Sequence, residues 1–253
     1  MSHRTSVLPG AEAFSAAGGE HGALVLHGFT GNPQSVRGLA EALATAGFTV
    51  ELPRLPGHGT SVEDMAGTRW DDWAGTAEAA YLDLAARCDK VLVTALSMGG
   101  TLAVWLASRH PEIAGLALVN PVVEPIDEAI TDLARDLAEK GESMMPGVGS
   151  DIADPDQHEL AYEQTPVACL LSLAAAIDDL TIHLPGLTLP ILLMNAPQDH
   201  VVPPSNSELL AQTVCGPVER VILERSYHVA TLDYDRELIQ DRVVEFARRV
   251  THA

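Results

Sequence analysis

Lysine is nearly absent from this chain: Lys90 and Lys140 are the two examples among 253 residues, and arginine supplies most of the positive charge. The 35 acidic side chains outnumber 15 basic ones, which gives a formal net charge of −20 at pH 7. A surface of this sign repels the phosphates of nucleic acids and the headgroups of anionic lipids. The composition therefore argues against nucleic-acid partners and against electrostatic docking on acidic membranes.

Long hydrophobic runs and paired cysteines are also missing. No stretch of 18 or more apolar residues occurs, so we expect no membrane span and no stable membrane insertion. The N-terminal stretch lacks the apolar core of a secretory signal, and the three cysteines are too scattered for a disulfide framework. Both features favour a cytoplasmic location. The histidines show no recurrent metal-ligand spacing, so we expect neither a metal site nor a cofactor.

Strand-like and helix-like patterns alternate along most of the chain. Runs typical of buried strands, such as 91–96 and 115–120, are separated by segments with helical periodicity. This alternation predicts an α/β fold with a mostly parallel sheet flanked by helices, formed by a single domain over residues 1–253. After Asn120 the alternation stops, and we expect a mainly helical insertion without strands over residues 121–189.

The segment from Val91 to Gly100 carries the strongest chemical signal. A run of β-branched and apolar residues leads into Ser97, and an apolar helical pattern follows at once. A serine at the apex of such a strand–turn–helix needs small residues two positions before and after it, because larger side chains would collide. Gly99 meets this requirement, and Ala95 stands where glycine is usual. The pattern predicts a nucleophilic serine.

Downstream residues supply the two partners that a nucleophilic serine needs. Asp199 and His228 each follow a strand-like run, and in one known arrangement the acid and then the base come after the serine in the chain. The carboxyl ends of parallel strands converge on one crevice, so Ser97, Asp199 and His228 are predicted to meet there. The neighbouring His200 is interpreted as a rim residue, and His58 as a turn residue within a glycine-rich loop.

Acyl transfer also requires hydrogen-bond donors for the oxyanion that develops in the transition state. The backbone N–H of Met98, directly after the serine, is one candidate. The other is the backbone N–H of Phe29, in the glycine-containing loop that follows an early strand. The sequence thus predicts an oxyanion hole formed by Phe29 and Met98.

Several short segments in combination resemble α/β-hydrolase-fold serine esterases, specifically the bacterial carboxylesterase and monoacylglycerol lipase family. They span almost the whole chain and comprise residues 27–32, 56–59, 96–100, 159–163, 199–204 and 226–233. The resemblance implies an α/β-hydrolase fold whose small, mainly helical cap is inserted after the strand that ends near Asn120. It also implies that Glu159 binds the polar head of the substrate; the alternative is a solvated helix residue.

The predicted cap contains two apolar helical patterns. Ile126, Ile130, Leu133 and Leu137 recur at helical spacing, and residues 167–177 form a second apolar helix. We expect these helices to roof the crevice and to supply a pocket for an acyl chain. The alternative is that the insertion is additional scaffold.

These features predict a serine hydrolase that cleaves carboxylic esters of short-to-medium acyl chains, with monoacylglycerols as the first candidate substrate. Ser97 would form the acyl-enzyme, and a small-molecule ester would be the partner. A general carboxylesterase, or a hydrolase of C–C bonds or proline peptides, remains an alternative, because these activities share the fold and the triad. A non-catalytic ligand sensor is a further alternative, which the complete triad disfavours.

Overall fold

Residues 6–252, the part of the chain that this computed structural model describes, form strands and helices that alternate over most of their length. Of the N-terminal stretch considered for a secretory signal, residues 1–5 lie outside the described part. The strands are β1 (Phe14–Ala16), β2 (His21–Leu26), β3 (Thr49–Leu52), β4 (Lys90–Leu96), β5 (Gly115–Val119), β6 (Met144–Pro146), β7 (Gln164–Pro166), β8 (Ile191–Asn195) and β9 (Val218–Ile222). The helices are α1 (Arg37–Thr45), α2 (Val62–Ala66), α3 (Trp70–Ala85), α4 (Met98–Arg109), α5 (Glu128–Glu139), α6 (Val167–Thr181), α7 (Ser205–Thr213) and α8 (Arg236–Thr251).

A seven-stranded sheet with the order β1-β3-β2-β4-β5-β8-β9 forms the centre of the molecule. Every neighbouring pair is parallel except β1 with β3, which is antiparallel at the edge. The prediction of a mostly parallel sheet is therefore confirmed. Because β4, β5, β8 and β9 are parallel neighbours, the loops that follow them all lie at the carboxyl-terminal ends of the strands, on the same side of the sheet.

Helices cover both faces of this sheet, and alternate strand residues point to opposite faces. In β2, Leu24 and Leu26 belong to one buried cluster together with apolar side chains of α3 and α4. Ala23 and Val25 belong to the other cluster, with side chains of α1 and α8. The sheet therefore has an apolar core on each face, which fixes the strand ends that carry the predicted site. Within residues 6–252 no helix combines the length and apolarity needed to cross a bilayer.

The segment between β5 and β8 is called the insertion (residues 121–189). It contains α5, α6 and a small antiparallel sheet in which β6 pairs with β7. The expectation that this segment lacks strands was wrong. Each of the two strands has three residues, which is too short for a period-two pattern, and prolines lie at Pro146 and Pro166.

The face of α5 that is buried differs from the predicted apolar stripe. Thr131 and Ala134 are buried, whereas Ile130 and Leu133 are 44% and 50% exposed. Ile126 precedes the helix and is partly buried against the core. Small residues on the inner face let α5 pack closely on α6, and this leaves Leu133 exposed at the surface of the insertion.

Candidate active site

Ser97 occupies a sharp turn between β4 and α4. Its φ of 56° and ψ of −124° lie in a backbone region that L-residues rarely adopt. Such a conformation costs about 1–3 kcal/mol and persists because surrounding contacts enforce it. Its backbone N–H donates to the carbonyl of Val119 (3.0 Å), and its own carbonyl accepts from Gly100 (2.7 Å).

Small residues around Ser97 allow this turn to form. A Cβ atom on Gly99 would lie 2.4 Å from the carbonyl oxygen of Leu26, and one on Gly100 would lie 2.6 Å from Cβ of Pro121. Ala95, the departure from the usual glycine, is fully buried and keeps its place in the ladder between β2 and β5. The single methyl group of Ala95 therefore fits the core beneath the turn.

His228 lies between Ser97 and Asp199. Its Nε2 is 2.9 Å from Oγ of Ser97, and its Nδ1 is 2.8 Å from Oδ2 of Asp199. The carboxylate can only accept, so the ring proton lies on Nδ1 and the lone pair of Nε2 faces the serine hydroxyl. This orientation is the one required for a histidine that removes a proton from the serine.

Asp199 is fixed by the loop that follows β8. Its Oδ1 accepts hydrogen bonds from the backbone N–H groups of Val201 (2.8 Å) and Val202 (2.7 Å). Its side chain is 1% exposed, which keeps water away from the bond to His228. The carboxylate thus has one oxygen held by the backbone and the other available for the imidazole.

The two predicted oxyanion donors, Phe29 and Met98, line the same cavity as Ser97. Met98 is the first residue of α4, where backbone N–H groups have no partner within the helix and favour negative charge. Phe29 follows Gly28, whose backbone approaches so closely that an added Cβ would lie 3.2 Å from Cβ of Ser97. Both N–H groups therefore belong to backbone next to the serine.

A buried histidine orients the loop that carries Phe29. His27 accepts a hydrogen bond at Nε2 from the N–H of Leu55 (3.1 Å) and donates from Nδ1 to the carbonyl of Gly28 (3.0 Å). Burial lowers the pKa of His27 to about 3, so the ring is neutral and can serve both roles. Because carbonyl and N–H point in opposite directions across a trans peptide, fixing the Gly28 carbonyl also fixes the direction of the Phe29 N–H.

His58 lies in the turn predicted for it and is fully buried beside His27, with ring centroids 5.2 Å apart. Burial lowers the pKa of His58 to about 4. Its ring packs edge-to-face against Trp73, and its Nδ1 donates to the carbonyl of Pro56 (3.0 Å). His58 is therefore part of the support beneath the Phe29 loop.

A cavity of about 310 Å³ adjoins the serine. Its polar end contains Ser97, His228 and Glu159, and the remainder is mostly apolar. The insertion supplies much of the apolar lining, namely Val122, Ile126, Ile130, Met145, Val148, Leu170 and Leu173. A wider, more open groove of about 740 Å³ between α1 and α8 contains none of the predicted site residues.

Glu159 is buried at the polar end of this cavity rather than exposed. Burial raises the pKa of its carboxyl group, while attraction to His228 and a hydrogen bond with Ser35 act in the opposite direction. The segment around it is tied to the Phe29 loop: Asn32 Nδ2 donates to the carbonyl of Leu160 (2.5 Å). These contacts place a carboxyl group in the same pocket as the serine.

Sequence reasoning missed three polar residues that hold the loop around His228. Asn120, at the end of β5, donates from Nδ2 to the carbonyl of His228 (2.8 Å). Asp151 accepts from the N–H of His228 (3.0 Å), and Asp233 accepts from that of Tyr227 (2.9 Å). Asn120 could have been found as a polar residue at a strand end. Asp151 lies in an irregular segment that carries no local pattern.

His200, predicted at the rim, is 61% exposed and donates from Nδ1 to Asp151 (2.8 Å). Across residues 6–252, no group of three or more histidine, cysteine, aspartate or glutamate side chains is arranged to hold a metal ion. The hydrogen bonds of His228 to Ser97 and Asp199 suit proton transfer and nucleophilic attack by the side chains of this site.

Comparison with known proteins gives a consistent assignment. A family model described as Hydrolase_4: Serine aminopeptidase, S33 matches residues 21–235. The chain is 45% identical over 249 residues to the thermostable monoacylglycerol lipase of Bacillus sp. (strain H-257), which covers 97% of this chain and 98% of that protein. It is 26% identical over 239 residues to the carboxylesterase of Bacillus subtilis (strain 168), which covers 94% and 96%, respectively.

A solved structure from work on LipS and LipT, two metagenome-derived lipolytic enzymes, is also similar. It matches with a TM-score of 0.92 and 43% identity, covering 96% of this chain and 100% of that chain. The predicted α/β-hydrolase fold is thereby confirmed. The chain belongs to the Hydrolase_4 (serine aminopeptidase, S33) family of serine hydrolases.

Proposed function

We propose that this chain hydrolyses carboxylic esters of short-to-medium acyl chains and that monoacylglycerols, cleaved to glycerol and fatty acid, are its substrates. The observation that carries the proposal is the hydrogen-bonded triad Ser97–His228–Asp199 at the polar end of a mostly apolar cavity that also contains Glu159. The similarity to a thermostable monoacylglycerol lipase over nearly the full length supports it.

In the proposed mechanism, Oγ of Ser97 attacks the ester carbonyl carbon while Nε2 of His228 takes the hydroxyl proton. Asp199 orients the ring and stabilises the imidazolium, and the N–H groups of Phe29 and Met98 hold the oxyanion. The C–O bond to the alcohol then breaks, and the alcohol leaves with the proton from His228. A water molecule, deprotonated by His228, then attacks the carbonyl carbon of the acyl-enzyme. The bond between that carbon and Oγ of Ser97 breaks, His228 returns its proton to Oγ, and the fatty acid is released.

The insertion is proposed to act as a cap over this site. Its helices and the loop around Val148 form much of the apolar lining of the cavity. An acyl chain in this part would place its ester group at Ser97 and its alcohol near Glu159.

A substrate panel tests the activity: monoacylglycerols, p-nitrophenyl esters and proline amides should be compared at equal enzyme concentration. Turnover confined to proline amides would contradict the proposal.

A triacylglycerol is expected to be a poor substrate. The cavity of about 310 Å³ lies at the lower end of the roughly 300–1,000 Å³ typical of small-ligand sites, so one chain fits and three do not. Fatty-acid release from a triacylglycerol should be at least about tenfold slower than from the monoacylglycerol of the same chain length. Titration of released acid measures both rates. Comparable rates would show that the insertion does not restrict the site.

Replacement of Glu159 by alanine is expected to impair turnover of monoacylglycerols selectively. A hydrogen bond to a charged group contributes about 1.5–3 kcal/mol, so losing the contact to glycerol should lower kcat/KM roughly ten- to a hundredfold. Hydrolysis of p-nitrophenyl butyrate, which has no glycerol, should change less than about threefold.

The matched control for this variant is Glu163→Ala, because Glu163 is an exposed carboxylate of the same segment. It should leave both substrates unaffected. Equal losses on the two substrates in Glu159→Ala, or no loss on either, would contradict the role of Glu159 and leave a general carboxylesterase.

A cytoplasmic location is also proposed. Cys88, Cys169 and Cys215 are free thiols in the structure, and free thiols are usual in reducing compartments.

A further inference from the structure

The insertion contributes a carboxylate that contacts both loops of the predicted triad. Asp151 lies between β6 and β7, and its Oδ2 accepts from the backbone N–H groups of His228 (3.0 Å) and His200 (3.1 Å). Its Oδ1 accepts from Nδ1 of His200 (2.8 Å), and its backbone carbonyl accepts from Val229 (3.0 Å). One residue therefore joins the loop that carries Asp199 to the loop that carries His228.

The backbone of His228 is held from two sides. Asn120, at the end of β5, fixes its carbonyl, and Asp151 fixes its N–H. Asn120 directly follows β5, a strand in the interior of the central sheet, and its side-chain oxygen also accepts from the N–H of Ala196 (2.8 Å). The carbonyl of His228 is thus held by a residue at the end of a sheet strand, and its N–H is held by a residue of the insertion.

A second carboxylate, Asp233 of the His228 loop, accepts hydrogen bonds from the insertion. Asp233 is fully buried and accepts from the N–H groups of Ala153 (2.7 Å) and Asp154 (3.0 Å), as well as from Tyr227. Residues 151–154 are therefore fastened to the His228 loop at both ends. Hydrogen bonds between backbone N–H groups and an ionised carboxylate are stronger than neutral ones, so this junction is stiff.

We propose that Asp151 is a positioning residue that sets the place of the His228 imidazole between Ser97 and Asp199. The inference rests on the triad assigned under the proposed function. Catalytic groups must be held to within about 0.5 Å, and an error of about 1 Å costs roughly a hundredfold in rate. Gly147, Val148 and Gly149, which precede Asp151 by a few residues, line the cavity, so the same segment borders the proposed substrate pocket and holds the backbone of His228.

The test compares variants of Asp151 on p-nitrophenyl butyrate, a substrate without glycerol. Asp151→Ala should lower kcat about ten- to a hundredfold, while KM changes less than about threefold, since the acyl pocket is retained. Asp151→Asn should recover kcat to within about fivefold of the unmodified enzyme, because its amide oxygen can still accept from both backbone N–H groups. Asp156→Ala, an exposed carboxylate of the same segment, is the matched control and should change nothing.

Asp151→Glu keeps the experiment decisive if the alanine variant does not fold. It retains the charge but moves the carboxylate by one methylene, so kcat should fall at least about tenfold with the melting temperature preserved. If Asp151→Glu and Asp151→Asn both have the kcat of the unmodified enzyme, or if asparagine is as impaired as alanine, the positioning role is wrong. An active Ser97→Ala variant would instead contradict the proposed function itself, so the two failures are distinguishable.

Discussion

Replacing Ser97 by alanine is expected to abolish ester hydrolysis, with a loss on the order of 10⁶-fold in kcat, as found when the serine or histidine of a protease triad is removed. The oxygen of Ser97 is 2.9 Å from Nε2 of His228, and an alanine side chain has no nucleophilic atom to replace it. Alanine has the same backbone restrictions as serine at a φ of 56°, so folding should be almost unchanged. Hydrolysis of p-nitrophenyl butyrate and the melting temperature of the purified variant measure the two effects.

Ser108→Ala is a suitable control because Ser108 is an exposed serine of α4, the helix that follows the turn. It should retain full activity. More than a few per cent of residual activity in purified Ser97→Ala, with an active control, would rule out Ser97 as the nucleophile.

Asp199→Asn is expected to lower kcat by about 10⁴-fold, the loss seen for the same change in the best-studied protease triad. The amide oxygen can keep the bonds from Val201 and Val202, which turns the NH₂ group toward Nδ1 of His228. The ring must then accept at Nδ1 and carry its proton on Nε2, where it faces Ser97 and cannot act as a base. The variant should fold normally but remain inactive at neutral pH.

The matched control is Asp178→Asn, an exposed carboxylate of α6. It should have the kcat of the unmodified enzyme. If Asp199→Asn stays within about tenfold of that value, another carboxylate must orient His228, and the role assigned to Asp199 is wrong.

The fold and the contacts within the triad were accessible from sequence because both depend on strong, local patterns. Apolar runs at β4, β5 and β8 mark buried parallel strands, and side chains just after such strands gather at one edge of the sheet. The order of Ser97, Asp199 and His228 along the chain then indicates which side chains meet there. The oxyanion donors remain predictions, since their role depends on bound substrate.

The details of the insertion could not be predicted because its structure depends on tertiary contacts. The strands β6 and β7 are held by pairing with each other across a long loop, with no pattern of their own. In α5, the apolar spacing suggested one buried face, but close packing on α6 selected Thr131 and Ala134 instead. The contact between Asp151 and His228 joins residues 77 positions apart, and no local signal marks such a pair.

The placement of the insertion between neighbouring strands has a consequence for chain entropy. It leaves the sheet after β5 and returns at β8, and the ladder between Leu116 and Ile191 joins these two strands directly. For a flexible loop closed at both ends, doubling its length costs only about 0.6 kcal/mol, so the irregular stretches of this segment can lengthen or shorten at little entropic cost. A change of length in these stretches should therefore be tolerated thermodynamically, whereas α6 is held by the apolar core that it shares with α3 and α4. Within the irregular stretches, residues 151–154 must be kept, since they are hydrogen-bonded to the loop of His228.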